Sequence, residues 1–477
     1  MKNSQEISWR ALALMAFVTV WGFGNIVNGF ANQGLKVIFT WIVMFALYFV
    51  PYALMVGEMG STFNTQGGGV SSWIRSTCGA KLAFWAGWTY WIVHVPYLAQ
   101  KPQQILIALG WAASPTGSMV KSLTPMVLQS ACLLVFFLFL WVASRGVNSL
   151  KKIGAVAGSS MFVMSMLYIL LALAAPSITD AKTYAIDLSF AAFVPDFNFD
   201  YITTLAILVF AVGGCEKLSP YVNSMKNPSR DFPRGMLVLA IMVAITALLG
   251  SFAMGLMFDP NHIPRDLMMN GAYYCFQKLG EYYGVGNLFL IIYAIANALS
   301  YMSALAFSID APIKVLLADV DNRFIPAALT KVNKNGTPVN GYKLTAVLVT
   351  ALIMIPAFGI GDMTSLFNWL MRLNAVVMPL RYLWVFVAYM ALKRAVKGRF
   401  SSKYHFMKSR NGGFLVGLWC FAFTSFACIM GMFPHDTEPF SSEWIFQLSL
   451  NIITPLVFLG LGLILPILAQ KSKTAKN

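Results

Sequence analysis

Charged residues are scarce in this sequence. Asp, Glu, Lys and Arg together make up 11% of the 477 residues, whereas 58% of the residues are hydrophobic. Soluble domains carry roughly 25% charged residues. A soluble fold of this size could not bury so much apolar surface, so the composition indicates a protein whose main solvent is lipid.

Several patterns required by enzymes and metalloproteins are also missing. The six cysteines include no CxxC pair and no metal-ligand spacing, so we expect neither disulfides nor a metal site. A phosphate-binding loop is absent, which argues against ATP as an energy source for this protein. No constellation of nucleophile and base is found, and we therefore expect no catalytic residue and no cofactor. The first apolar run is too long for a cleavable signal.

The charge that is present is strongly basic, with a formal net charge of +16. In a soluble protein this excess would favour nucleic-acid binding. Here the basic residues lie in short loops between apolar runs, which is typical of membrane topology. We therefore expect membrane lipid, and no nucleic acid, as a partner.

Long apolar runs fill the chain. A membrane helix needs about 20 apolar residues, and by that rule the sequence predicts twelve spans in a single membrane domain over residues 1–477. If the N-terminus is cytoplasmic, 26 Lys and Arg residues fall in inner segments and five in outer ones. This bias predicts a multi-pass protein of the cytoplasmic membrane with both termini inside. The spans have the approximate limits 10–33, 37–57, 82–110, 125–143, 152–175, 202–224, 236–257, 286–312, 343–358, 365–391, 413–433 and 443–469.

Two of these spans contain glycine near the middle of the membrane. Span one holds Trp21-Gly22-Phe23-Gly24-Asn25, and span six holds Gly213-Gly214-Cys215-Glu216. Glycine permits close packing of helices, but it also permits a helix to break. Broken helices expose free N–H groups for a carboxylate and free carbonyls for an ammonium. Because the two sites lie at matching depth and five spans apart, we favour broken helices and a substrate site between them.

Three groups of motifs occur along the chain in order. They are Gly57-Glu58-Met59-Gly60 with Gly67–Trp73, Phe210–Arg234, and Arg323-Phe324-Ile325-Pro326 with Lys331–Asn340. These motifs resemble the amino acid–polyamine–organocation superfamily, and most closely its glutamate/GABA-type antiporters. The resemblance implies an all-α fold of twelve helices, in which helices 1 and 6 are broken. The helices would form a five-plus-five inverted repeat (about 10–175 and 202–391) followed by two extra helices (about 413–469).

The sequence departs from the family pattern at two places. Trp21-Gly22-Phe23-Gly24-Asn25 replaces the usual Gly-Ser-Gly-type break, so contacts with the substrate are expected to differ. The cytoplasmic tail, Gln470–Asn477, is shorter than the plug expected of a glutamate/GABA exchanger.

The candidate substrate-binding residues lie at the two breaks and among the nearby aromatic side chains. The substrate's α-carboxylate would contact N–H groups at Gly22–Asn25, and its ammonium would contact carbonyls near Phe210–Gly213. Glu216 would either hold the ammonium or cap the unwound backbone. The aromatic candidates would close over the ligand or serve only for packing. The full set is Gly22, Phe23, Gly24, Asn25, Phe210, Gly213, Gly214, Cys215, Glu216 and Tyr301.

A second set of candidates belongs to the transport pathway or its gates. Tyr90, His94, Tyr97 and Lys101 recur at steps of four, three and four, which puts them on one helical face. His94 could sense pH or only form hydrogen bonds, and Lys101 could extend its amine towards the interface. The remaining candidates are Asp310 near an inner gate, with Lys217 or Lys314 as possible partners, and Arg372 near the outer end of span ten. Arg381 needs a carboxylate partner that the sequence does not identify.

Together these features predict a secondary transporter for an amino acid. We expect exchange of an amino acid for its decarboxylated amine or for another amino acid by alternating access. The alternatives are a proton-coupled amino acid symporter, which would use Glu216, Asp310 or His94, and an amino acid sensor or channel.

Overall fold

The computed structural model describes residues 6–474, except 181–183, 185, 186, 188, 260–263, 265, 334, 335, 356–362, 397, 435 and 436. In the described residues all regular structure is helical, apart from two isolated β-bridges. The end of the predicted ninth span, residues 356–358, lies outside the described residues.

The described residues of the first half of the chain form eleven α-helices. A 3₁₀ turn, Gly34–Lys36, and a π-helical segment, Phe45–Phe49, interrupt the helical run that follows the first span. The helices are α1 (Trp9–Val20), α2 (Phe23–Gln33), α3 (Val37–Met44), α4 (Val50–Thr62), α5 (Val70–Cys78), α6 (Ala80–Ile92), α7 (His94–Ala113), α8 (Ser118–Lys121), α9 (Pro125–Ser144), α10 (Val147–Ile178) and α11 (Phe190–Phe193).

In the second half, the part that the structure describes forms eleven more helices and two 3₁₀ segments, Cys215–Ser224 and Leu461–Leu463. The helices are α12 (Phe199–Val212), α13 (Pro228–Met257), α14 (Leu267–Tyr282), α15 (Leu288–Leu317), α16 (Ala327–Thr330), α17 (Val339–Met354), α18 (Met363–Val377), α19 (Leu380–Arg394), α20 (Arg410–Gly431), α21 (Ser442–Gly460) and α22 (Ile464–Thr474).

Nine helical segments among the described residues are long and apolar enough to cross a membrane. One of them, Trp9–Thr62, is 54 residues long and covers the first two predicted spans, while α17 is apolar but shorter. The helical, multi-pass architecture is therefore confirmed. The count of twelve spans and the inverted repeat stay predictions.

The broken helices lie at the centre of the bundle. The first half-helix, α1, packs against α10 and α13, and α15 packs against α7 and α10. A Cβ atom on Gly158 of α10 would lie 2.1 Å from the carbonyl oxygen of Leu14, so only glycine allows α1 and α10 to approach this closely. Large apolar side chains such as Leu134 and Leu456 remain exposed on peripheral helices, where lipid would cover them. This packing holds the two breaks inside protein rather than at a lipid surface.

Candidate functional site

The first break separates α1 from α2. Trp21 (φ −125°, ψ 144°) and Gly22 (φ −146°, ψ 159°) are extended, and no side chain caps the first turn of α2. The opening N–H groups of a helix have no intrahelical acceptor, and they carry the positive end of the helix dipole. The amides of Phe23 and Gly24 at this end of α2 thus form a natural binding point for an anion.

The second break follows α12. Gly213 is extended, and Gly214 has φ +112°, a conformation that favours glycine. A Cβ atom on Gly213 would lie 2.0 Å from the ring of Tyr382, so a side chain would collide there. Asn25 connects the two breaks, because its Nδ2 donates to the carbonyl oxygen of Ala211 at 3.1 Å.

A cavity of about 90 Å³ lies where the two breaks meet. One buried water needs roughly 10–15 Å³ on this measure, so the cavity can hold a cluster of waters or one small solute. Eight of the sequence candidates line it: Gly22, Gly24, Asn25, Tyr97, Lys101, Phe210, Gly213 and Tyr301.

The other candidates lie outside the lining. Phe23 is buried in an aromatic cluster, with its ring centroid 4.7 Å from Tyr168 and 5.1 Å from Phe276. Arg372 is half-buried on α18. The remaining candidates outside the lining are Tyr90, His94, Gly214, Cys215, Glu216 and Asp310.

Glu216 is fully buried behind the second break. One carboxylate oxygen accepts a hydrogen bond from the hydroxyl of Tyr52 and the other from Tyr90 at 2.9 Å. The guanidinium Nε of Arg381 lies 3.5 Å from the same oxygen that Tyr90 contacts. The carboxylate therefore joins the unwound segment to α4, α6 and α19, and Arg381 obtains the counter-ion that its burial requires.

His94 uses both of its ring nitrogens. Nδ1 lies 2.6 Å from the carbonyl oxygen of Tyr90, and Nε2 lies 2.6 Å from Nη1 of Arg381. A carbonyl only accepts and a guanidinium only donates, so these contacts assign the neutral ring with its proton on Nδ1. His94 thus orients Arg381 at the cavity wall.

Asp310 lies in a separate cluster on α15. It accepts hydrogen bonds from the hydroxyls of Tyr221 at 2.6 Å and Tyr342 at 2.7 Å, and it pairs with Lys314 at 2.7 Å. Of the two partners considered from the sequence, Lys314 is therefore the one in contact. The cluster connects the Cys215–Ser224 segment with α15 and α17.

Lys217 differs most from its expected environment. The count of basic residues assigns it to an inner segment, whereas in the structure it is 1% exposed and lines the cavity. Its amine donates to the hydroxyl of Ser308 at 3.1 Å. Lys217 belongs to the 3₁₀ segment Cys215–Ser224, which is buried from Cys215 to Val222.

Several cavity residues were not among the sequence candidates. Gln100 and Gln104 share a helical face with Lys101 on α7, and this polar spacing within a span is a signal that could have identified them. Tyr382 carries no such signal, because one tyrosine in a span resembles ordinary packing. Others in this group are Thr19, Asn28 and Ser300. Arg381, which the sequence singled out without naming its partner, also lines the cavity.

Comparison with known proteins places this architecture in a family. A family model described as amino acid permease matches residues 7–458. The chain is 50% identical to the aspartate/glutamate permease AcaP of Lactococcus lactis subsp. cremoris, over 99% of this chain and 97% of the relative. It is 26% identical to the inner membrane transporter YjeM of Salmonella typhimurium, over 81% of each chain. A glutamate/gamma-aminobutyrate antiporter of Lactococcus lactis subsp. lactis is 25% identical, over 82% of this chain and 76% of the relative. The resemblance inferred from the motifs is confirmed: the chain belongs to the amino acid permease family and is a membrane transporter, not an enzyme.

Proposed function

We propose that this transporter carries acidic amino acids, aspartate or glutamate, across the cytoplasmic membrane by alternating access. The preferred mode is exchange for another amino acid or for a decarboxylated amine. The relative named aspartate/glutamate permease supports the substrate, and the relative named glutamate/gamma-aminobutyrate antiporter supports exchange.

The observation that carries this proposal is the cavity at the meeting point of the two breaks. The substrate's α-carboxylate would accept hydrogen bonds from the first amides of α2, where the helix dipole favours an anion. Its ammonium would contact carbonyl oxygens at the end of α12, near Phe210. Phe210 and Tyr301 both line the cavity and would exclude water from the bound molecule.

The charges around the cavity support an anionic substrate. Lys101, Lys217 and Arg381 line it, and Glu216 is the one carboxylate that pairs with any of them among the described residues. An acidic amino acid carries two carboxylates and one ammonium, so its net negative charge would reduce this positive excess.

The proposed architecture follows the family pattern. The twelve spans would form two inverted five-helix repeats, over about 10–175 and 202–391, with two further helices at 413–469. Both termini would face the cytoplasm, as the distribution of Lys and Arg predicts. Alternating access would then move one group of helices against the other around the fixed central site.

Counterflow in proteoliposomes tests the function and its mode. Vesicles preloaded with unlabelled glutamate should accumulate labelled aspartate, and empty vesicles should not. Uptake into empty vesicles driven by a pH gradient alone would refute exchange and favour the proton symporter. Absence of counterflow with every amino acid and amine would refute transport and favour a sensor.

A pair of glycine variants links the assay to the site. Gly213→Ala places a Cβ atom 2.0 Å from the Tyr382 ring and should abolish counterflow. Gly460→Ala meets no atom within 4 Å and should leave counterflow unchanged. Equal activity of the two variants would contradict a site at the second break.

A further inference from the structure

Two buried lysines in the cavity wall have no acidic partner among the described residues. Lys217 is 1% exposed and Lys101 is 8% exposed. Their amines contact neutral groups, namely the Ser308 hydroxyl at 3.1 Å and the Gln104 side-chain oxygen at 2.7 Å. Within the part of the chain that the structure describes, no carboxylate lies at ion-pair distance from either amine.

Other buried cations of this chain have a carboxylate partner. Lys393 contacts Glu58 at 2.7 Å, and Arg381 lies 3.5 Å from Glu216. Taking a charge out of water costs free energy that a well-placed counter-ion offsets. Lys101 and Lys217 are therefore exceptions that need a physical reason.

The surroundings of the two amines compensate their positive charge only in part. Both lie over the ring of Tyr97, at 4.5 Å for Lys101 and 5.0 Å for Lys217, and Lys101 lies 4.8 Å from the Tyr301 ring. Aromatic faces attract cations, but less strongly than a carboxylate at contact distance does. Both amines lie within 5.0 Å of the Tyr97 ring centroid, and both lysines line the same cavity.

We propose that Lys217 and Lys101 bind the side-chain carboxylate of the substrate and thereby select acidic over neutral amino acids. This inference rests on the proposed function, because it assigns the substrate's second carboxylate to a place in the same cavity. The backbone at the two breaks would hold the α-carboxylate and the ammonium, which all amino acids share. The lysines would bind the group that distinguishes aspartate from asparagine.

Arg381 is unsuited to this role, although it lines the cavity. Its guanidinium already contacts His94 at 2.6 Å and Tyr382 at 3.4 Å, and it is the ion-pair partner of Glu216. Lys217 follows Glu216 directly in the unwound segment, so it is positioned by the same network without being neutralised by it. Lys101 approaches from α7.

Binding measured for matched substrate pairs tests the assignment. Purified wild-type protein and the variants Lys217→Gln and Lys101→Gln are titrated with aspartate, asparagine, glutamate and glutamine, and binding is followed by thermal shift and by competition in the counterflow assay. Glutamine retains a hydrogen-bond donor and a similar length, so the substitution removes mainly the charge. Lys331→Gln, at an exposed loop position, is the matched control.

The expected result is a change in selectivity rather than a general loss. Wild type and Lys331→Gln should bind aspartate more tightly than asparagine. Lys217→Gln should weaken aspartate binding by about 30-fold, equivalent to about 2 kcal/mol at 1.4 kcal/mol per tenfold. Asparagine binding should be unchanged or stronger, and Lys217→Arg should retain the preference for acids. Lys101→Gln should act in the same direction, and it provides an independent test if Lys217→Gln does not fold.

The outcomes separate this inference from the function on which it rests. If the wild type binds neutral amino acids in preference to acidic ones, both the acidic substrate and the role of the lysines are wrong. If the wild type prefers acids and folded Lys217→Gln and Lys101→Gln keep that preference, the lysine assignment alone is overturned. A parallel loss of aspartate and asparagine binding would also overturn it, because that result indicates a structural role.

Discussion

The buried pair of Glu216 and Arg381 allows a quantitative test of how the second break is held in place. The perturbations are Glu216→Gln, Arg381→Met and the double variant. Each single substitution leaves one buried charge without its partner, whereas the double variant removes both charges. A double-mutant cycle therefore isolates the interaction between the two side chains.

The structure sets the expected magnitudes. Removing one partner of a buried ion pair costs roughly 3–5 kcal/mol. The Nε of Arg381 lies 3.5 Å from the Glu216 oxygen and makes no hydrogen bond, so we expect the lower end of that range for each single variant. In Glu216→Gln the amide oxygen can still accept from one of the two tyrosine hydroxyls and the amide nitrogen can donate to the other, which limits the loss. The loss of stability in the double variant should be smaller than the sum of the two single losses by about 2–3 kcal/mol.

The assay is equilibrium unfolding of purified protein in mixed micelles, followed by circular dichroism as the fraction of denaturing detergent rises. The quantity compared is the free energy of unfolding of the four proteins. If the loss of stability in the double variant equals the sum of the two single losses to within about 0.5 kcal/mol, the reasoning is refuted, because independent sites behave in this way. The unwound segment would then be held by other contacts.

Three further predictions concern charged residues outside the cavity. Asp310→Asn removes the ion-pair partner of Lys314 and one of the two oxygens that accept from tyrosine hydroxyls. Amide hydrogen exchange at the start of α17 should therefore be faster than in wild type. Unchanged exchange would contradict a role of Asp310 in holding α17 against α15. Glu58→Gln leaves buried Lys393 without its counter-ion and should destabilise the protein by roughly 3–5 kcal/mol, with faster proteolysis between α19 and α20 as the measurement. Hydrogen bonds from Arg323 hold the pKa of Asp321 at about 2. Because this folded-state pKa is below the unfolded value, the stabilisation is present above about pH 4 and is lost as the pH falls towards 2. The melting temperatures of wild type and Asp321→Asn should therefore differ by the same amount at pH 5 and pH 8, and this difference should disappear in acid.

Much of the fold could be predicted because membrane helices leave a strong local signal. Long apolar runs and scarce charge identified the multi-pass architecture, and each predicted span overlaps at least one helix. Glycine in the middle of an apolar run marked both breaks, the one after α1 and the one after α12. These are properties of short segments, so they are visible without knowledge of the neighbouring helices.

The contacts within the site could not be predicted in the same way. Glu216 was a candidate, but its partners Tyr52, Tyr90 and Arg381 come from three other helices. Phe23 adjoins the first break, yet its ring packs away from the cavity. One residue of offset on a helix turns a side chain by about 100°, so proximity in sequence does not decide which way it faces.

The sequence by itself determined that this protein lies in a membrane, where its helices break and to which family it belongs, because hydrophobic runs, glycines and motifs are local features. Only the tertiary structure decided which charges are paired. It showed Arg381 beside Glu216 and His94, and it showed Lys101 and Lys217 over the same tyrosine ring with neutral partners. The physical reason is that charge compensation depends on distances between helices far apart in sequence, and packing of the whole bundle sets those distances.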